Sequence, residues 1–376
     1  MRISETAWSC FRNLEPRRQE WRSGLNVFSG PNGSGKTNIL ESFNVLSGWG
    51  VFPSSGGRVS SVITWAPDEN AEKRAFLSAL ASGERELEIA AQIGERLSLR
   101  VAGERTTNSE LRMLLPSLSF LPSDVNILDG SPSVRRFFLD KICALCSPLY
   151  ARRLAEYRQL VRQRTALLRR NEDRSQSAPL RASSIPIAQM GGWIRQARKK
   201  AVDLLGEKLS AGNSPFENDL SAFGLSVAVD MRNGDAGNVK AGIELGDYTE
   251  SLRAALDAGL ERERRAGLVL SGPHRDDLMF SCLGRPASLA LSRGQKRRVV
   301  MAVILAAGRL IETKLRVKPI LILDDVAAEL DADGRSLMGQ ALAETGWQVF
   351  ASGVENPFET AACATWRIRD GKIENR

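Results

Sequence analysis

The sequence predicts an α/β fold built on a phosphate-binding loop, with an inserted, mainly helical second domain. Three observations predict it. They are the loop Gly30-Pro31-Asn32-Gly33-Ser34-Gly35-Lys36-Thr37-Asn38, the apolar run Ile320-Leu321-Ile322-Leu323 ending in Asp324-Asp325, and a basic, heptad-like stretch between the two. The chain has 376 residues, enough for two or three domains. An apolar fraction of 43% supports a packed core, and 26% charged residues is ordinary for a soluble protein. No apolar run approaches the length of a membrane span, and no apolar signal core accompanies Arg2, Glu5 and Arg12. Five scattered cysteines, an odd number, read as reduced thiols in a cytoplasmic setting. Cys143 and Cys146 form a C-x-x-C but lack the further ligands of a tetrahedral zinc site, so they read as small buried residues on one helix face.

Residues 1–30 read as strands feeding the loop. Leu25 to Phe28 suits a buried strand, and Ile39, Leu40, Phe43 and Leu46 continue as a helix. That strand–loop–helix order is what the phosphate motif requires. Glycines let backbone N–H groups curl around a polyphosphate, and the helix N-terminus adds partial positive charge. Lys36 is placed to reach the β- and γ-phosphates, and the Thr37 hydroxyl to meet Mg²⁺. Gly30, Asn32, Gly33, Ser34, Gly35, Lys36, Thr37 and Asn38 are therefore the candidate ATP-binding residues.

Further along, Leu87, Ile89, Ala91 and Ile93 alternate, Gly94-Glu95 turns, and Leu97, Leu99 and Val101 follow, which is a β-hairpin pattern. From Pro132 the pattern is helical. Tyr150, Leu154, Tyr157, Val161, Arg164 and Leu168 recur at alternating spacings of four and three. A polar, Ser-rich stretch from Asn171 to Ser184 interrupts. Then Ile187, Met190, Ile194, Ala197, Ala201 and Leu204 recur in the same way, so the region reads as a short antiparallel helical hairpin with Arg164 on its seam. Strands return at Leu225 to Val229, Val239 to Leu245 and Leu268 to Leu270, and the final third alternates strand and helix. The expected division is 1–120 for the first part of the nucleotide-binding domain, 121–222 for the inserted helical-hairpin domain and 223–376 for the second part.

The formal net charge is +8, and its location matters more than its size. Residues 150–200 hold thirteen Arg or Lys against Glu156, Glu172 and Asp173, which leaves the rest of the chain near balance. One basic segment on a balanced protein is the electrostatic footprint of a polyanion partner.

The run Ile320 to Asp325 has the Walker B arrangement. Strand C-terminal ends are where parallel sheets bind ligands. Asp324 is the candidate Mg²⁺ ligand with Thr37, and Asp325 the candidate catalytic base for an attacking water. Upstream, Leu291-Ser292-Arg293-Gly294-Gln295-Lys296 runs into a helix and offers a second anion cradle. It resembles the signature motif of ABC-type ATPases. That resemblance implies that Ser292, Gly294 and Gln295 contact ATP held by an opposite subunit, hence a head-to-head homodimer. Some 255 residues separate Thr37 from Ser292. So long an insertion, emerging as a helical hairpin, resembles the SMC and Rad50 type of ATPase head rather than a transport subunit.

Several stretches together resemble the bacterial RecF recombination-mediator family. They are Phe11-Arg12-Asn13, the loop with Ile39-Leu40-Glu41, Leu121-Pro122-Ser123-Asp124, and Gly130-Ser131-Pro132 with Arg135-Arg136 and Phe138-Leu139-Asp140. Gly272-Pro273-His274-Arg275-Asp276-Asp277-Leu278, and Leu323-Asp324-Asp325-Val326 with Glu329-Leu330-Asp331, complete the set. The resemblance implies a weak, DNA-stimulated ATPase that dimerises on ATP, with Arg12 and Asn13 joining the ATP site. It implies double-stranded and gapped DNA as partners, recombinase loading through RecR in the RecO pathway, and no membrane. A second domain would clamp DNA, and the charge excess agrees. Arg152, Arg153, Arg158, Arg162, Arg195, Arg198, Lys199 and Lys200 are the candidate phosphate contacts, which give affinity without sequence readout.

The chain departs from the family pattern at Arg293, at Ala328, at Gly50-Val51-Phe52 and at Ala351-Ser352-Gly353, while Lys36, Thr37, Asp324 and Asp325 are retained. Asp325 stands where many ABC ATPases have Glu. One methylene less of reach predicts slow hydrolysis. His274, the only histidine, reads as structural, or by its place in the family block as near the nucleotide or the dimer interface. The alternative reading is the ATPase head of another SMC-like or defence-type complex. The forty or so residues after Asp331 leave no room for the nuclease domain that such proteins often carry.

Overall fold

The computed structural model describes residues 1–52, 58–64, 74–170, 177–211, 224–231, 245–325, 330–358 and 363–374. The chain divides into two compact units. One takes in Met1–Val125 and Leu291–Arg376, the other Asn126–Ala211 and Phe223–Ala290.

The first unit opens with β1 (Arg2–Ser9), β2 (Arg17–Glu20) and β3 (Leu25–Ser29), followed by helix α1 (Lys36–Leu46). Strands β4 (Ala75–Ser82), β5 (Leu87–Ile93), β6 (Leu97–Val101) and β7 (Glu104–Thr106) come next, then α2 (Asn108–Leu114) and β8 (Ser117–Phe120). The expected hairpin is β5–β6, antiparallel with Ile89 opposite Val101 and Ile93 opposite Leu97. Its alternation is real: Ile89, Ala91 and Ile93 are buried, and Glu88 is exposed. These strands form the antiparallel sheet β2-β1-β4-β5-β6-β7.

The second unit begins with α3 (Pro132–Cys146), α4 (Pro148–Arg170) and α5 (Ser177–Ser210). The hairpin is there, but α5 starts inside the stretch expected to be a polar loop. Leu180, Ser184 and Ile187 are buried along it, so Ser183 and Ser184 sit on a packed helix rather than in a solvated loop. Cys143 is buried on α3 and Cys146 half-buried.

Then come β9 (Leu225–Asp230), α6 (Leu245–Ala258), α7 (Leu260–Ala266), β10 (Asp277–Cys282), β11 (Arg285–Pro286) and α8 (Ala287–Ala290). Strand β9 pairs antiparallel with β10, and α6 packs along α5. The boundary expected at 223 therefore moves. The chain runs in the first unit from Leu291 onward, because residues 224–231 and 245–290 find their sheet partner and helix partner beside the hairpin. The expected strand over Leu268 to Leu270 is absent. Gly267 ends α7 at φ 62, and the Leu270 N–H donates to the Glu263 carboxylate, not to a strand. The strand expected from Val239 falls outside the described residues, and Leu245 begins a helix.

Back in the first unit are α9 (Arg293–Leu315), β12 (Ile320–Leu323), α10 (Ala332–Thr345), β13 (Gln348–Gly353), β14 (Cys363–Arg369) and β15 (Lys372–Glu374). The second sheet has the order β15-β14-β3-β13-β12-β8, parallel except for β15. Strands β12 and β13 are buried along their whole length, which is why β12 reads as a continuous apolar run and β13 carries Val349, Phe350 and Ala351 in succession without alternation. Helix α1 packs on both sheets of the unit. Phe43 on α1 stacks on Phe350 of β13 at 3.8 Å between ring centroids, and Trp21 meets Phe28, Phe43 and Phe350 edge-on. Buried Gln348 holds the sheets in register: its side chain accepts from the Ile3 N–H and donates to the Ile3 and Arg22 carbonyls.

Candidate nucleotide site

Strand β3 delivers the chain into the loop, and α1 carries it away. Gly30 has φ 152, and a Cβ there would collide with the Ile368 carbonyl, so only glycine fits this first bend. Gly35 caps α1 at φ 109, in the left-handed region. The first N–H groups of α1 have no intrahelical acceptor and form a donor cradle.

Lys36 is the first residue of α1 and is 8% exposed. Its ammonium donates to the Gly30 carbonyl at 2.7 Å and to the Pro31 carbonyl at 2.9 Å, so it spans the loop. Burial lowers its pKa, and the carboxylates of Asp325 and Asp324 oppose that shift.

The next residue connects the loop to a distant strand. Thr37 Oγ1 lies 3.0 Å from both carboxylate oxygens of Asp324, at the C-terminal end of β12. The two residues are 287 positions apart in the chain. Burial raises the Asp324 pKa, and the hydrogen bonds from Ser352 and Thr37 counter it. Asp325 adopts φ 50, in the left-handed region, and its buried Oδ1 has no hydrogen-bond partner among the described residues. Ser34 Oγ, on the loop, is likewise buried and unpartnered.

Asn13 lies against the loop: its Oδ1 accepts from Asn38 Nδ2 at 2.7 Å. Arg12 instead reaches the flank of α1, where its guanidinium pairs with Glu41 at 2.8 Å. Glu41 also accepts from the Phe52 N–H. The Gly50-Val51-Phe52 segment therefore packs onto Arg12 and Glu41.

Sequence reasoning missed Ser352 as a site residue and noted it only as a departure. β13 lies between β3 and β12 in the sheet, and Ala351 is opposite both Leu323 and Val27. Ser352 therefore emerges beside Asp324 and Asp325. The available signal was a hydroxyl ending an apolar strand just before Gly353.

The donor set fits a magnesium–nucleotide. A cradle that excludes Cβ, one ammonium, a Thr–Asp pair and two unpartnered buried oxygens suit a polyphosphate and a hard cation that takes oxygen ligands.

Ser292 and Gln295 form a capping box at the start of α9. Ser292 Oγ accepts from the Gln295 N–H, and Gln295 Oε1 accepts from the Ser292 N–H. Ser292, Arg293 and Gly294 are exposed. Arg298, on the same helix, pairs at 3.3 Å with Asp331, the N-cap of α10. Ala328 and Glu329 lie outside the described residues.

The basic residues of the hairpin divide. Arg195 and Arg198, expected as phosphate contacts, are core residues at 0% and 2% exposure. Arg195 forms a two-point pair with Asp276, at 2.6 and 2.9 Å. Arg198 pairs with Asp140 at 2.8 Å and donates to the Pro273 carbonyl. Both were counted as surplus because their acidic partners lie outside residues 150–200. Arg164 is buried in the same way on Glu263. Arg158, Arg162 and Lys200 are exposed. Arg152 is exposed and pairs with Glu156, and half-buried Lys199 pairs with Asp203. Arg153 lies over the Trp193 ring at 4.4 Å.

The Gly272 to Leu278 block belongs to this second unit. His274 Nδ1 is 2.7 Å from Tyr157 Oη, and its Nε2 is 3.1 Å from the Val269 carbonyl. Nε2 therefore carries the proton, and Nδ1 accepts from the tyrosine. Asp277 takes two hydrogen bonds from Arg135.

A phosphate loop, a strand ending in two carboxylates and a signature-like helix start, all on one mixed sheet unit, define an ABC-type ATPase head. The family model described as "RecF/RecN/SMC N terminal domain" matches residues 2–372. The chain is 30% identical over 385 residues to "DNA replication and repair protein RecF" of Heliobacterium modesticaldum, covering 99% of each. It superposes on the solved structure of the recombination mediator RecF–ATP with a TM-score of 0.85 at 24% identity, over 99% of this chain and 97% of that one. An Smc head domain superposes with a TM-score of 0.55 at 16% identity, over 100% and 96% of the two chains. The chain belongs to the bacterial RecF family. No helix among the described residues is long and apolar enough to cross a membrane.

Proposed function

We propose that this chain is an ATP-dependent DNA-binding protein of recombinational repair and replication, which pairs head to head on ATP and hydrolyses it slowly. The observation that carries the reading is the pair of hydrogen bonds from Thr37 to Asp324, which joins the loop helix to the carboxylate strand. Mg²⁺ held there by Thr37 and Asp324 would neutralise charge on the β- and γ-phosphates. Lys36 and the N–H groups of α1 bind the phosphates, and Ser34 adds a hydroxyl. Asp325 accepts the proton of the attacking water through its unpaired Oδ1. Its short side chain keeps turnover slow, so ATP acts as a switch more than as a fuel.

Ser292, Gly294 and Gln295 of one copy meet the nucleotide of the other. The exposure of Ser292 and Gly294 at the start of a 23-residue helix, with Gln295 half-buried beside them, supports this role. The second unit clamps duplex DNA near single-strand gaps through Arg152, Arg153, Arg158, Arg162, Lys199 and Lys200. Family membership supports the wider role: relatives carry the name "DNA replication and repair protein RecF", and a similar solved protein is described as a recombination mediator in the RecFOR pathway. Recombinase loading with RecR follows from that pathway, and a cytoplasmic location from the DNA partner. The test is sizing of the full chain with Mg²⁺ and a non-hydrolysable ATP analogue, with and without gapped duplex. A dimer that needs nucleotide is expected. Copies that stay apart when saturated with both ligands overturn the reading.

A further inference from the structure

We infer that Ser352 is a positioning residue of the nucleotide site, the hydroxyl that locks Asp324 and Asp325 into one rigid acidic pair; this rests on the ATP reading above. A serine hydroxyl has one proton to give and lone pairs to receive. Both are used here. Ser352 Oγ accepts from the Asp325 N–H at 2.9 Å and donates to Asp324 Oδ1 at 2.7 Å. Thr37 meets the same Asp324 carboxylate from α1, so that carboxylate is held from two sides.

The Asp325 backbone needs such support. Its φ of 50 lies in a region that residues with a Cβ seldom adopt. The hydrogen bond to Ser352 ties that N–H down at the bend. Among the described residues nothing donates to the buried Asp325 Oδ1. A carboxylate one methylene shorter than Glu cannot search for its target, so its mounting has to be fixed in advance. Ser352 is 1% exposed and sits on β13, the strand between the loop strand and the carboxylate strand. Removing the hydroxyl leaves the half-buried Asp325 N–H without this acceptor and takes one of the donors from Asp324.

The experiment uses Ser352→Thr, which keeps the hydroxyl, and Ser352→Val, which has the shape of Thr without it. Three quantities are measured on the full chain: kcat and KM for ATP, the Mg²⁺ midpoint for binding a fluorescent ATP analogue, and the melting temperature. Ser352→Thr is expected within about threefold of the natural protein in kcat and in Mg²⁺ midpoint. Ser352→Val is expected to lower kcat about ten- to a hundredfold and raise the Mg²⁺ midpoint several-fold, with KM for ATP changed by less than about threefold. Equal kcat and equal Mg²⁺ midpoint for the two variants overturn the inference. If the valine melts well below the threonine, Ser352→Ala against the natural protein makes the same comparison without added bulk. If the natural protein binds no analogue with Mg²⁺, the ATP reading falls, and this inference with it. Binding that is intact but indifferent to the hydroxyl sinks the inference alone.

Discussion

Lys36 and His274 are both cationic in type, and burial lowers the pKa of both, with different consequences. At Lys36 two nearby carboxylates hold the charge in place, which a phosphate ligand needs. Replacing it with arginine puts a planar, wider cation where a compact ammonium spans the loop. Lys36→Arg should weaken ATP binding about tenfold or more, read by titration with a fluorescent analogue.

At His274 burial dominates, and the weak pull of Asp276 toward the charged form is outweighed by Arg275. Desolvation takes its pKa from 6.5 down to about 4, against a smaller opposing effect from its bond to the Val269 carbonyl. The folded state thus resists protonation where the unfolded chain accepts it. Above pH 6.5 both states are neutral and the residue makes no pH dependence. As pH falls from 6.5 to about 4, only the unfolded chain gains the proton, and stability drops. The loss is at most about 3 kcal/mol. Urea midpoints at pH 7 and pH 4.5 should differ more for the natural protein than for His274→Gln. Equal differences would remove the histidine from the account.

At the scale of the element, the α4–α5 hairpin is organised by arginines that the heptad pattern could not place. Arg164 sits on the seam because Glu263 lies under it, with Ser183, Ser184 and the Leu180 carbonyl taking the rest of its guanidinium. Arg164→Met leaves the buried Glu263 carboxylate without its counter-ion, with the Leu270 N–H still donating to it, which costs about 3–5 kcal/mol. Adding Glu263→Met should recover most of that loss in urea unfolding, because the pair carries a desolvation penalty as well as an attraction. The exposed face of α4 behaves differently. Arg158, Arg162 and Arg169 recur at helical spacing and are all exposed. Reversing Arg162 and Arg169, and leaving Arg158 in place because it pairs with Asp140 at 3.3 Å, should weaken DNA binding and flatten the dependence of affinity on salt, while leaving the melting temperature nearly unchanged. An unchanged salt slope would move the DNA surface elsewhere. The same reversal at Arg195 and Arg198 would unfold the unit and report nothing about DNA.

At the scale of the whole molecule, the proposed dimer makes a prediction that no single copy can satisfy. Ser292→Arg should leave ATP binding by the monomer intact and block ATP-dependent dimerisation, since a bulky cation would replace the small cap at the exposed start of α9. A copy with Lys36→Arg and a copy with Ser292→Arg should together retain one working composite site, visible in sizing of the mixture. Absence of any mixed dimer counts against the trans arrangement. The phosphate loop, the paired carboxylates, the β5–β6 hairpin and the two long helices are legible along the chain. Each of these is written in neighbouring residues, as spacing, alternation or a glycine at a bend. Folding in three dimensions alone brings residues 224–231 and 245–290 into the helical unit, makes Arg164, Arg195 and Arg198 core ion pairs, and stands Ser352 beside Asp324 and Asp325. Those facts depend on partners tens to hundreds of residues away. A charge counted along the chain carries no record of the opposite charge that folding brings to meet it.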